Sequence, residues 1–191
     1  HGDGVIVALK DDIWSRSPEK VLGLREDWAQ SNPELVSALV RALVRAAEWA
    51  DQPGNRVELA HILSEEANVG APFEVLKASL SGKPVLRPGE PPIDLPDRHV
   101  FYRYTATFPW LSQGCWIGEQ MKRWRQIPQD TDLKAVIPDV FRPDLYRIAV
   151  AGLDVLVPQD DWRVEGAADA PDRSLVGMDQ FLDDTIFKAE F

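Results

Sequence analysis

Three histidines, one cysteine and 31 acidic residues are the groups in this 191-residue chain that suit metal binding, acid–base work or nucleophilic attack. None of His1, His61 and His99 stands at metal-ligand spacing from another histidine, a cysteine or an acid. His61 falls within an amphipathic helical pattern and reads as a packing or surface residue. Cys115 lies between Gly114 and Trp116 near a helix start, where a thiolate is favoured in principle. It has no base beside it and reads as a small buried filler. The acid pairs Asp11-Asp12, Glu65-Glu66, Asp160-Asp161 and Asp183-Asp184 are neighbours in sequence, so they point apart on a helix and read as solvated charge. There is no glycine-rich phosphate loop and no Gly-x-Ser-x-Gly elbow. These groups build no enzyme, no metal centre and no cofactor site.

The chemistry that remains is cationic. The stretch LVRALVRAAEW, residues 39–49, places Arg41 and Arg45 four apart in an apolar run of a chain whose net charge is −10. A guanidinium fork donates two parallel hydrogen bonds to planar, trigonal oxygens. At about 100° per residue, the expected core stripe is Leu35, Leu39, Leu43, Ala46 and Ala50. Arg45 falls at its border beside Ala38, Ala42 and Trp49, small neighbours that leave room for a ligand. Arg41 falls further round, near Glu34, Ser37 and Glu48, where a solvated role is natural. Two readings of Arg45 stand side by side: a contact to an anion, or an edge arginine lying over Trp49 or paired with an acid. The seven tryptophans read mostly as core, with room for one or two to wall a small-molecule cleft.

Several elements must position these groups. Val5–Leu9 is a short apolar run that suits a buried strand. Ser17-Pro18-Glu19 is a helix start, with Gly23 as an interruption. Asn32-Pro33-Glu34 opens a long helix that runs to about Asp51, and Pro53-Gly54 ends it. Asn55 caps a helix from Arg56 to about Ser64, and Pro72 to Leu80 is a shorter one. Residues 82–98 hold five prolines and two glycines and form a loop or linker, not a regular helix. HVFYRY, 99–104, alternates as a strand does. Residues 112–127 form an amphipathic helix capped by Ser112. Helices from Asp132 to Val140 and from Arg142 to Leu153 follow. Residues 158–178 are polar, and the aromatics between Met178 and Phe191 suit a docking tail.

Composition narrows the class. A hydrophobic fraction of 45% places the chain among folded globular proteins. Thirty-one acids against 21 bases disfavour direct binding of nucleic acid, which needs a basic face. One cysteine allows no internal disulfide. No apolar run approaches the roughly 20 residues of a membrane span, and no signal peptide is visible. The abrupt start reads as a fragment or a trimmed chain.

Five stretches occur in one order: IWSRSPEKVLGLREDWAQSNP (13–33), the helix through RAAEWAD (45–51), PGNRVELAHILS (53–64), FPWLSQGCWIGEQMKRWRQI (108–127) and DTDLKAVIPDVFRPDLYRIAVAGL (130–153). Together they resemble the C-terminal half of the nitrate- and bicarbonate-binding proteins of bacterial ABC importers, a family that includes cytoplasmic nitrate sensors. The resemblance implies an α/β chain, the helix-rich part of a two-lobed periplasmic-binding-protein (type II) fold, with an anion held between the lobes. It implies residues 1–81 in the second lobe with an interlobe strand near 5–9, a proline-rich linker at 82–98, a helical C-terminal part at 99–157, and a polar segment with a docking tail at 158–191. In family members a charged residue of the long helix faces the cleft. Lysine there resembles the nitrate type, and glutamate the bicarbonate type that also holds calcium. The position that lines up best here is Arg45, four residues before Trp49, and these two are the expected ligand contacts, with no metal. The implied ligand is nitrate, nitrite or bicarbonate, and the implied partner is an ABC permease. The implied location is the periplasm or the outer face of a membrane. The alternative is a cytoplasmic sensor that controls an RNA-binding antiterminator. A second lobe alone would expose apolar surface and invite self-association.

Overall fold

Prolines and small polar residues mark the helix ends, and the computed structural model places its helices between them. The structure describes residues 4–95, 97–167, 175 and 177–189. Among these the chain forms α1 (Lys10–Ile13), α2 (Glu26–Ser31), α3 (Pro33–Asp51), α4 (Arg56–Ser64), α5 (Phe73–Leu80), α6 (Leu111–Arg123), α7 (Leu133–Val140) and α8 (Pro143–Val150). Single 3₁₀ turns lie at Pro53–Asn55 and Arg103–Thr105. Proline occupies the first turn of α3 and of α8, where its missing N–H costs no helical bond. The helices pack in pairs: α3 on α8, α4 on α5 and α6 on α7.

The α3–α8 pair carries the first core. Val44 packs with Phe108, Trp110, Tyr146 and Val150, and Val40, Tyr102 and Val155 close around them. This corrects the expected facing of α3. Val36, Val44, Ala50 and Asp51 are its buried residues, whereas Leu35, Leu39 and Leu43 are 54%, 41% and 48% exposed. The helix carries two apolar faces, and α8 takes the valine face.

The C-terminal end of α3 is fixed by one carboxylate. Asp51, 5% exposed, accepts hydrogen bonds from the backbone N–H of Phe101, Tyr102 and Arg103 at 3.3, 3.2 and 2.7 Å. It also receives Arg103 Nε at 3.0 Å and Arg56 Nη2 at 3.1 Å. Burial works against its charge, but the Arg103 N–H and guanidinium and the Phe101 N–H outweigh that. The carboxyl sits below the usual aspartate range. This explains why residues 99–104 are not the expected strand. The N–H groups that a strand would give a neighbour converge on Asp51, and the chain turns through Tyr104 and Thr105 at φ of 60° and 53°.

Two further expectations are corrected. Val5–Leu9 forms no strand; Ile6 N–H reaches Leu86 C=O at 2.9 Å, and no strand lies beside the segment among the described residues. Ser17 starts no helix, because its N–H closes a turn on Trp14 C=O at 3.2 Å, and the chain stays irregular to Arg25.

Ser112 does not cap α6. It lies buried in the first turn, where its hydroxyl donates to Glu165 at 2.6 Å. Arg163 grips both oxygens of Glu165 at 2.7 to 3.0 Å. Burial pushes the Glu165 carboxyl up, with Arg163 and Ser112 pulling the other way. Nearby, Asp179 accepts from Trp14 Nε1 at 2.7 Å and Gly166 N–H at 2.8 Å. The Trp14 ring packs against Trp116 and Phe181, with centroids 4.7 and 4.6 Å away, and those two rings also touch, at 5.8 Å. Residues 180–182 are thus seated on residues 13–15, an arrangement completed by Leu182 N–H to Ile13 C=O and Ser15 N–H to Gln180 C=O.

The second core joins α6 and α7 through Leu111, Cys115, Leu133 and Ile137. It depends on absent side chains at Gly114 and Gly118, one turn apart. A Cβ at Gly114 would lie 2.7 Å from the Phe141 ring and 3.0 Å from Ile137. Gly114→Ala should therefore lower stability by about 1–3 kcal/mol through overpacking, read as a fall in the urea midpoint. Asp51→Asn should cost about 3–5 kcal/mol, the usual range when one partner of a buried ion pair is removed. The folded carboxyl lies below the ordinary value of 3.8, so its stabilisation is present above that pH and is lost as pH falls through the folded value. Denaturation across pH should show wild type and Asp51→Asn converging in acid below that window.

Candidate anion-binding site

The expected contacts, Arg45 and Trp49, lie on successive turns of α3. Arg45 is exposed and makes no hydrogen bond, ion pair or ring contact among the described residues. The guanidinium is not stacked on Trp49 and not paired with an acid. Trp49 is partly buried. Its carbonyl accepts from Gln52 N–H at 3.2 Å and Asn55 Nδ2 at 2.8 Å, bonds that end the helix below Arg45.

Arg41, expected to be solvated, is exposed and also does structural work. Its Nε donates to Ala149 C=O at 3.0 Å, placing a cation at the C-terminal end of α8, where the helix dipole favours it. Arg41 also lines a shallow groove of about 350 Å³ with Pro33, Glu34, Ser37 and Ala38. Ala38, Arg41 and Arg45 follow at three- and four-residue steps, so Arg45 continues this face by one turn. Ser37 and Ala38 are short, which leaves the floor open. The groove was not legible as a unit in the sequence. Its signal was small residues at 37 and 38 followed at helical spacing by two arginines.

The electrostatics of this face are mixed. Glu34 sits at one end and Glu48, three residues beyond Arg45, at the other, so the two arginines between them are balanced in number by two acids. No side chain caps α3, because the Asn32 amide donates instead to Trp28 C=O at 2.8 Å. The whole face is held in place from below by the Asp51 cluster and from behind by the α3–α8 core.

A second cleft, about 250 Å³, is lined by Tyr102, Arg103, Tyr104, Thr107, Tyr146 and Val155 among others. Apart from the Tyr102 hydroxyl, its main polar groups are already engaged. Arg103 is divided between Asp51 and Asp97, and Tyr146 shares a 2.8 Å hydrogen bond with Thr107. It offers an anion less than the α3 face does.

The remaining candidate groups stand apart from this face. His61 stacks on Phe73 with centroids 3.9 Å apart. His99 is partly buried near Ser79, and burial with the Arg98 and Arg56 charges pushes its pKa down. Burial pushes the Cys115 thiol up, away from a reactive thiolate. His1 lies outside the described residues.

Comparison with known proteins gives this face its context. The NMT1-like family matches residues 1–64. The whole chain is 31% identical, over 193 residues, to the nitrate/nitrite binding protein NrtA of Synechocystis, of which it covers 41%. It is 30% identical over 190 residues to the bicarbonate-binding protein CmpA of Synechococcus elongatus, with 94% of this chain and 40% of that protein covered. The crystal structure of the periplasmic nitrate-binding protein NrtA from Synechocystis superposes with a TM-score of 0.80 at 29% identity, covering 93% of this chain and 44% of that one. The chain therefore spans less than half the length of these relatives, all of them binding proteins rather than enzymes. Along its length the chain is therefore similar, in sequence and in helix-rich fold, to part of the nitrate- and bicarbonate-binding proteins.

Proposed function

We propose that the chain supplies one lobe of the solute-binding component of an ABC importer for nitrate or a similar small oxyanion, with the outer face of α3 toward the ligand. What supports this reading is that a chain similar throughout to nitrate/nitrite-binding proteins carries an exposed and uncommitted arginine, Arg45, on its longest helix. A guanidinium fork matches two oxygens of a trigonal monoanion. A cation at this place also disfavours a calcium ion beside the ligand. The proposed location is the periplasm or the outer face of the membrane, and the proposed partner is the permease. Among the described residues no helix is long and apolar enough to cross a membrane.

The leucine stripe of α3 belongs to the same reading. Leu35, Leu39 and Leu43 are about half exposed and lie one face away from Arg45, where the other lobe of a two-lobed protein would cover them. The 191-residue chain by itself should self-associate through this stripe, and Leu39→Glu with Leu43→Glu should return it to a monomer in sedimentation velocity. In the protein expressed from its full reading frame, calorimetry should show saturable binding of nitrate or nitrite. Arg45→Ala should weaken it at least about tenfold, the loss expected of a charge-assisted hydrogen-bonded contact, and Arg45→Lys should lie between. Absence of binding to nitrate, nitrite and bicarbonate alike would overturn the reading.

A further inference from the structure

The C-terminal end of α6 carries a feature that neither the core nor the anion face uses. Residues 122–125 read Lys-Arg-Trp-Arg. Trp124 is 71% exposed, in a chain whose Trp14 and Trp110 are 2% and 4% exposed. Arg123 and Arg125 are exposed on either side of it, and neither side chain has a hydrogen-bond or ionic partner among the described residues. Lys122, half-turned inward, pairs with Glu119 at 3.6 Å.

This tip is built and not frayed. Arg125 N–H bonds to Lys122 C=O and Gln126 N–H to Met121 C=O, both at 2.8 Å. That is the double bond of a Schellman cap. The Gln129 side chain adds a further donor to Lys122 C=O. The cap requires a left-handed residue just past the helix, and Arg125 fills it at φ 58°. Glycine is the unstrained choice there, so the strain is spent on keeping a long cation beside the tryptophan. The helix dipole accounts for Lys122 and Arg123 in the last turn. It accounts neither for Arg125, which lies beyond the end, nor for an indole left in water.

We propose that the α6 tip, Arg123-Trp124-Arg125, is a docking surface for a protein partner that presents carboxylates around an apolar pocket sized for an indole. Within the importer reading, on which this rests, that partner is the permease. Charge complementarity selects the chemistry: two unpaired guanidinium groups flank the indole in a chain of net charge −10, so an acidic surface is drawn to this tip and repelled by most of the rest. Tryptophan and arginine dominate the energetics of protein interfaces when they enter desolvated pockets, and a capped helix end presents them already ordered. A protein surface fits better than an anionic bilayer, because a bilayer spreads its negative charge beneath the whole acidic body, whereas a protein can confine its carboxylates to the few that meet the tip.

The test uses the protein from its full reading frame with its permease and ATPase reconstituted in nanodiscs. Trp124→Ala and the double variant Arg123→Glu with Arg125→Glu should keep the wild-type melting temperature and nitrate affinity by calorimetry. The concentration of binding protein needed for half-maximal stimulation of ATPase activity should rise at least about tenfold. Unchanged stimulation with intact nitrate binding would overturn the docking surface while leaving the importer reading standing. Absence of oxyanion binding by the wild type would overturn the importer reading itself. Co-flotation of the wild type, but not the variants, with vesicles of phosphatidylethanolamine and phosphatidylglycerol would overturn it in favour of a lipid surface. A dimer of the wild type abolished by Trp124→Ala would overturn it in favour of a second copy.

Discussion

The buried carboxylate of Asp51 is the interaction on which the rest of the arrangement depends. One side chain collects three successive backbone N–H groups and two arginines. It thereby joins the end of α3 to α4 through Arg56 and to the 101–105 turn through Arg103. Asp97 extends the cluster to Arg16, whose guanidinium lies 4.5 Å over the Tyr104 ring. A buried charge is tolerable because every lone pair has a donor. The left-handed residues at 104 and 105 carry a backbone cost, and the bonds on Asp51 are what hold them there. With that end fixed and α8 packed along the valine face, α3 has no freedom to roll, and the direction of Arg45 follows.

Arginine is used in two distinct ways. Arg16, Arg56, Arg103, Arg147 and Arg163 are each tied to a carboxylate. The planar fork suits these sites, as in the grip of Arg163 on both oxygens of the fully buried Glu165. Arg45, Arg123 and Arg125 stand outside this internal pairing. Arg87 and Arg98 also lack a carboxylate partner among the described residues, so what sets Arg45, Arg123 and Arg125 apart is their place, on an open helix face and beside an exposed indole.

Much of the helical framework was legible in the sequence, because it is written in local chemistry. Asn32-Pro33 and Gln52-Pro53 bound α3, Asp132 caps α7 through Ala135 N–H, and Pro143 opens α8. What failed to read was whatever depends on a distant partner. Val5–Leu9 and residues 99–104 have strand-like patterns, but a strand exists only by pairing, and among the described residues one finds a single bond to Leu86 and the other finds Asp51. The facing of α3 failed for a related reason: a helix with valines on one side and leucines on the other satisfies the same period twice, and the choice lies with α8. At the candidate site Arg45 is exposed, but so is the leucine stripe whose border it was expected to mark, and the bond from Arg41 to Ala149, 108 residues away, has no local trace.

The clasp between residues 13–15 and 180–182 bears on how the chain acquires its structure. Trp14 and Asp179 are 165 residues apart, so the loop they close is nearly the whole chain. Contacts of such separation are costly to reach and slow to form. During synthesis the Trp14 indole must wait, without its carboxylate and without the Phe181 ring, until residues 179–181 have left the ribosome. The helix pairs can settle earlier, from contacts nearer in sequence. Closure of the clasp is then a late event, and a nascent chain arrested before residue 179 would carry Trp14 open, a surface of the kind that holdase chaperones bind.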